Sequence, residues 1–333
     1  MRRVLAYQTG NGLPALKQAA ALIREQQVVF SAIGGSYCAS IPAARRLAAP
    51  LVDASELLHY FEQTGGNAAT AFVLVSRSGE TVEIVRLLSQ LKERGAAIIG
   101  VTNEPSSLLD RQADVSIRVG SPPDQMTAVQ TYTGTLVALH LLAEAARGSL
   151  DAASREEVEA VIAAAEQTLP AWEEASRGWR TFFEGFPPIY LLARGTALAS
   201  AMAGALLLHE VAKTPAIAMG AGHFRHGPAE VAGEGFRALV FTPPDATQTL
   251  NQALALDLAR LGGQVRLIGP PEGIPDMPGL ACWPIEPVSP WLSPILEILP
   301  VQFAAYRLAE WKGVTPGEFR VVSQVTRSEM GFG

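Results

Sequence analysis

Cysteine is nearly absent from this sequence: Cys38 and Cys282 are the only two among 333 residues. Two thiols so far apart cannot build a disulfide framework or a zinc site, so both are expected as small apolar residues of a reduced interior. Positive charge is scarce too, with 26 Lys and Arg against 32 Asp and Glu, a net charge of −6. No basic cluster is available to follow a phosphate backbone, which excludes a nucleic-acid surface. Long apolar runs are also wanting. The run ALASAMAGALLL at 197–208 stops at His209-Glu210, short of a membrane span. Behind the two arginines of the opening MRRVLAYQTG there is neither an apolar run nor a cleavage site. No signal peptide is expected there, and the expected compartment is the cytoplasm. Neither G-x-G-x-x-G nor a Walker lysine occurs, which disfavours a nucleotide-binding protein. What the chain does have is apolar mass: 48% hydrophobic residues against 17% charged. That suits a well-buried globular protein of one large or two medium domains.

The pattern is α/β. An amphipathic helix at 14–26 leads into VVFSAI (28–33), which breaks at Gly34-Gly35-Ser36, with small residues at helical spacing behind it. AFVLV (71–75) breaks at SRSGET and is followed by a helix to about Arg94; AAIIGVT (96–102) and VSIRV (115–119) read as further strands. A helix is expected from about Thr127 to Ala146, after the loop SPPDQ. Strands alternating with helices predict a parallel sheet covered on both faces. The charged, Ala-rich stretch 151–185, with Pro170 inside it, reads as a helical connection. The plan then repeats. IYLLARG (189–195), ALVFTPP (238–244), QVRLIG (264–269), LACWPI (280–285) and a long helix near 290–311 match the first set in order. The shift is about 165 residues each time, as a duplicated domain requires. The expected division is 1–150, the connection 151–185, and 186–333 including the C-terminal tail.

In an open parallel sheet, ligands sit beyond the carboxyl ends of the strands. There, Ser76, Ser78 and Thr81 bring hydroxyls to a nascent helix end whose unpaired amides and dipole suit a phosphate dianion. Gly79 would let the backbone close on the ligand. An ordinary N-cap, with Ser78, Glu80 and Thr81 sharing a capping arrangement, is the competing explanation. Gly34-Gly35-Ser36-Tyr37 repeats the small, hydroxyl-bearing design on a second strand end, which favours one site for a sugar phosphate. The second copy carries Thr242-Pro243-Pro244-Asp245 instead.

Gly35-Ser36-Tyr37, Ser76-Arg77-Ser78-Gly79-Glu80-Thr81 and Gly222-His223-Phe224-Arg225-His226-Gly227-Pro228 resemble the sugar isomerase (SIS) family, over essentially the whole chain. The similarity is greatest to the branch that includes the isomerase part of glutamine–fructose-6-phosphate amidotransferase. The resemblance implies two flavodoxin-like lobes, each a parallel sheet with helices on both faces, a homodimer, no metal, no cofactor and a phosphosugar ligand. It places Ser36, Ser76, Arg77, Ser78 and Thr81 on the phosphate, with Gly35, Gly79 and Ser323 also at the substrate. Glu210 falls on the carboxylate that moves a proton between C1 and C2. His226 falls on the ring-opening histidine, which reaches into the partner subunit's site. Aldose–ketose chemistry needs such groups: a carboxylate tuned toward neutrality by desolvation, and a histidine that titrates near physiological pH. Without the resemblance, Glu210 reads as a surface or ion-paired carboxylate and His226 as a loop histidine.

Several positions depart from the pattern. The lysine expected one turn before the glutamate is Leu207, and the imine-forming lysine of the tail falls on Ser323. The hydroxyl and lysine positions after the fourth strand are Ala128, Val129 and Gln130, and His223 replaces a glutamate. Lys213, one turn beyond Glu210, is a weak substitute because helix lysines are commonly exposed. A metal at His209, His223 and His226 lacks supporting carboxylate spacing. No N-terminal catalytic cysteine occurs, so a protein without a glutaminase part is expected. The expected activity is isomerisation, deamination or deglycation of a 6-phosphorylated amino sugar or fructosamine. A non-catalytic sugar-phosphate sensor is the alternative.

Overall fold

The structure, a computed structural model, describes residues 1–64 and 69–331. The chain divides into two compact units, residues 1–159 with 319–333, and residues 160–318.

In the first unit, β1 (Gln27–Ala32), β2 (Leu51–Asp53), β3 (Thr70–Val75), β4 (Ala97–Thr102) and β5 (Val115–Arg118) form one parallel sheet in the order β2-β1-β3-β4-β5. That order reverses between β1 and β3, the flavodoxin-like switch point where ligands bind. Its helices among the described residues include α1 (Arg2–Thr9), α2 (Leu13–Glu25), α3 (Gly34–Arg46), α4 (Ala54–Thr64), α5 (Val82–Glu93), α6 (Leu108–Gln112) and α7 (Gln130–Arg147). On α5, Ile84, Leu87, Leu88 and Leu91 recur at helical spacing and are all buried against Phe72, Leu74 and Ile98 of the sheet. Leu57, Leu58 and Leu109 bring α4 and α6 onto the same core. The helices α1, α2 and α3 pack against α7 over the opposite face. Every residue of β3 is buried, which is why its sequence reads as an unbroken apolar run. The register pairs Ala32 with Val75 and Val75 with Val101, so β1, β3 and β4 all end at one edge.

A long helix, α8 (Ala152–Ser176), follows, continuing through Pro170. The second unit then contains β6 (Ile189–Ala193), α9 (Leu198–Ala212), β7 (Ala216–Gly220), α10 (Ala221–Phe224), β8 (Arg237–Phe241), α11 (Gln248–Arg260), β9 (Gln264–Gly269), β10 (Leu280–Pro284) and α12 (Ser293–Trp311). Its parallel sheet runs β7-β6-β8-β9-β10, the same topology as the first. Val240, Leu254, Leu258, Val265 and Leu267 form its core with Phe224 and Phe236. The stretch Gly195–Ala212 is apolar and long enough to match a membrane span by composition, contrary to the short-run expectation. It is 67% buried within the protein, packed against β6, β7 and α12 as a core helix.

Candidate functional site

The two sheets divide the candidate residues between them. In the first unit the end of β1 leads into Ile33 and then Gly34, whose φ of +59° turns the chain into α3 with Gly35 and Ser36 in its first turn. Ser36 Oγ accepts from the Arg77 backbone N–H at 3.3 Å. That contact joins the two strand ends on either side of the switch point. Ser76, buried at the end of β3, has its Oγ 3.1 Å from Thr81 Oγ1 and accepts there from the Gly79 N–H, also at 3.1 Å. Ser78 Oγ lies 3.5 Å from the same Thr81 hydroxyl and accepts from Glu80 N–H at 3.2 Å. Ser36, Ser76, Arg77, Ser78 and Thr81 are thus one connected cluster at the N-terminus of α5.

The capping explanation is not realised. Thr81 is the N-cap residue of α5 but its side chain makes no capping bond. Glu80 Oε1 instead accepts from Leu108 N–H at 2.7 Å, reaching across to α6. Gly79 has φ +63°, and a Cβ there would stand 2.1 Å from Ser107 Oγ and 2.6 Å from Ser107 Cβ. Its lack of a side chain is required by the neighbouring protein loop. Thr102 Oγ1 and Asn103 N–H both donate to the Arg77 carbonyl, at 3.1 and 3.0 Å, and Leu109 N–H donates to the Gly79 carbonyl at 3.2 Å. Glu80, Thr102, Asn103 and Ser107 therefore hold the turn in shape. The sequence signal for them was weak: a Thr-Asn pair at the end of β4, in the position where a strand end faces its neighbour's turn.

The tail also meets this turn. Gln324 carbonyl accepts from Arg77 Nη2 at 3.2 Å, and its side-chain Nε2 donates to the Met126 carbonyl at 2.7 Å. Thr326 carbonyl accepts the first amide of α5, from Val82 at 3.1 Å. Ser323 is exposed, and its hydroxyl donates to the Val325 carbonyl at 2.6 Å. Further along, Glu329 bridges His59 at 2.8 Å and Arg86. The helix expected from Thr127 begins at Gln130, since Asp124 takes the amides of Gln130 and Thr131 at 2.9 and 3.1 Å and so caps α7 from outside. Ala128 and Val129 remain in the loop.

In the second unit Glu210 lies in the last turn of α9, half-buried, and Leu207 one turn earlier is buried in the core. Lys213 closes α9 with φ +50°, and its ammonium donates to the carbonyls of Glu210 and Glu318. An ammonium committed to two carbonyls is a helix clamp, which removes Lys213 as a substitute for the absent lysines. His209 Nε2 accepts from Ala216 N–H at 3.0 Å. His223 and His226 are exposed, joined by a backbone bond from His226 N–H to the His223 carbonyl, with Gly227 at φ +115° behind them. Among the described residues no group of three or more His, Cys, Asp or Glu gathers as a metal site. At the edge matching the Ser76–Thr81 turn, Asp245 Oδ1 accepts from Thr247 N–H and Oγ1, both at 2.7 Å. A carboxylate there opposes a phosphate dianion, so the divergence of the second copy is chemical as well as sequential.

Residues 21–145 match the family model described as the SIS domain. The first unit is a SIS domain. The second unit has the same strand order, outside the matched residues. The glutamine–fructose-6-phosphate aminotransferase (isomerizing) of Aeropyrum pernix is 30% identical over 95% of this chain, and that of Pyrobaculum aerophilum 28% over 93%. The alignments take in 54% and 52% of those proteins, so the chain spans about half the length of these curated relatives. Solved structures extend the likeness to both units. The C-terminal domain of glucosamine-fructose-6-phosphate aminotransferase from Francisella tularensis superposes with TM-score 0.79 at 20% identity, covering 95% of this chain and 96% of that one. Glucosamine-6-phosphate deaminase from Thermotoga maritima gives 0.72 at 20%, covering 97% and 99%. Tagatose-6-phosphate ketose/aldose isomerase from Escherichia coli gives 0.77 at 18%, covering 95% and 90%. At such identities the likeness is one of fold, and the SIS domain match carries the family.

Proposed function

We propose that this protein is a phosphosugar isomerase-type enzyme acting on a 6-phosphorylated amino sugar or fructosamine. The observation that carries the proposal is the hydroxyl cluster of Ser36, Ser76, Ser78 and Thr81 at the start of α5, where Thr81 is not spent on capping. Neutral donors around a helix N-terminus match a phosphate dianion. Arg77, held at its carbonyl by Thr102 and Asn103, adds a positive charge to that surface. Gly35, in the first turn of α3, and Ser323, in the tail that crosses the turn, complete the proposed substrate surface.

In this scheme His226 opens the sugar ring, and Glu210 takes a proton from one of C1 and C2 and returns it to the other. The carbonyl moves between the two carbons through an enediol, or an enamine where nitrogen is present, and no redox partner is consumed. The working state is a cytoplasmic homodimer in which His226 serves the partner's site. The relatives' names support the substrate class: aminotransferase, deaminase and ketose/aldose isomerase all handle six-carbon sugar phosphates.

The test is turnover of glucosamine-6-phosphate, of fructose-6-phosphate with ammonia, and of a fructosamine-6-phosphate. At least one is expected to react, and Glu210→Gln to slow it by roughly 10²–10⁴-fold. Failure of all three, or a Glu210→Gln rate equal to the parent's, overturns the assignment. A second reading, a non-catalytic sugar-phosphate sensor, draws on the buried Leu207 and the self-bonded Ser323 where lysines would stand. Calorimetry showing saturable phosphosugar binding with no product over long incubation would favour it.

A further inference from the structure

A cavity of the first unit, about 930 Å³, lies between the tail and the helices α4 and α5. It is lined by His59, Glu83, Arg86, Ser323, Arg327 and Glu329 among others, and includes none of Ser36, Ser76, Ser78 or Thr81. Two features of its lining point to a ligand. The first is Glu83: the residue is only 8% exposed, and its Oε2 is buried with no hydrogen-bond partner. Its place in the first turn of α5 accounts for a negative charge there. It does not account for a carboxylate oxygen shut away from any donor, which costs desolvation without return. The second is Glu329, whose carboxylate is gripped by His59 at 2.8 Å and by Arg86. The protein thereby displays a carboxylate-binding pair with a carboxylate of its own seated in it. His59 and Arg86 are about half exposed, at 47% and 51% of their side chains, so an outside anion can reach them.

Glu83 and Arg86 are three residues apart on α5 and share one helix face, with about 5–6 Å between their Cβ atoms. One small molecule can therefore address both. It needs a carboxylate for the His59–Arg86 pair and, within a few bonds, a strong donor toward which the Glu83 carboxylate can turn. An ammonium supplies three such donors and complements a buried carboxylate by charge. We propose that this cavity is a binding site for a small free amino acid, with Glu329 as its built-in competitor. Binding replaces the Glu329 carboxylate on His59 and Arg86 and satisfies Glu83 through the amine. The cavity shares Ser323 with the proposed phosphosugar site, but the assignment rests on His59, Glu83 and Arg86, none of which is placed at that site.

The test is titration calorimetry on the full chain with glycine, L-alanine, L-serine and L-glutamate, with acetate and ethylammonium as half-ligands. At least one amino acid is expected to bind saturably and more tightly than either half-ligand. Glu83→Gln and Arg86→Ala should each weaken binding tenfold or more, and Glu329→Gln should tighten it several-fold. Circular dichroism and melting establish that each variant is folded, with Arg86→Lys replacing Arg86→Ala if the latter is not. Ser78→Ala with Thr81→Ala should abolish glucosamine-6-phosphate binding and leave amino-acid binding intact. No binding of any of the four to the parent and to Glu329→Gln overturns the proposal. So does binding unaffected by the Glu83 and Arg86 substitutions, or lost together with phosphosugar binding.

Discussion

At the residue scale, Gly79 is the position where local geometry bears most directly on the proposed chemistry. Its φ of +63° lies in the left-handed region, and the space a side chain would take is filled by Ser107. Gly79→Ala must strain the backbone or push away the loop that holds Arg77 and Gly79 in place. A cost of about 1–3 kcal/mol is expected, read as a lower urea midpoint, along with weaker glucosamine-6-phosphate binding. Adding Ser107→Gly removes the clash but keeps the positive φ, so stability should recover only in part. Full recovery, or no loss in Gly79→Ala, would show that the turn is not built as described. The cluster of hydroxyls was legible in the sequence, because a strand end followed by Ser, Ser, Gly and Thr has few uses. The reason for its glycine was not, since Ser107 lies on another loop and only the fold brings the two together.

At the scale of elements, the helix pair α3 and α7 carries a buried titratable group. His140 on α7 is 4% exposed with Nε2 unpaired, close to Glu144, which accepts from Arg46 Nε of α3 at 2.8 Å and from Ser149 Oγ at 2.6 Å. Burial pushes the imidazole well below its ordinary value of 6.5, with Arg46 adding to the shift and Glu144 opposing it. The folded state thus favours neutral His140, whereas the unfolded chain protonates near 6.5. The resulting stability is complete above that pH and is lost as pH falls below it toward the folded value. One such group contributes at most about 1.4 kcal/mol per pH unit. Urea midpoints should therefore drop between about pH 7 and pH 5, and His140→Leu should flatten that slope. An unchanged slope would assign the acid sensitivity elsewhere. The central strands were legible because burial on both faces leaves continuous apolar runs. The edge strands β2 and β7 were not: β2 is three residues, and β7 is a five-residue strand, mostly half-buried or exposed, directly behind the apolar helix α9. The start of α7 was misplaced because its cap, Asp124, acts from outside the helix and across a loop.

At the scale of the whole molecule, the duplication was legible from order and spacing, and both copies adopt one topology. The return of residues 319–333 to the first unit was not legible from pattern, because it rests on a few backbone carbonyls that leave no trace in composition. Deleting this segment removes the partner of the Val82 N–H and frees Arg77 from Gln324. The shortened protein is expected to bind glucosamine-6-phosphate at least several-fold more weakly, with the same far-ultraviolet circular dichroism. Equal affinity in the shortened protein would show that the tail merely rests on the turn. Arg77 and Gln324 are separated by 247 positions along the chain. At roughly 5–20 residues per second of synthesis, more than about 10 s pass between the emergence of the two. The first sheet can close on the ribosome long before Arg77 meets Gln324, so a nascent chain would be folded for some time before the proposed phosphosugar site is complete.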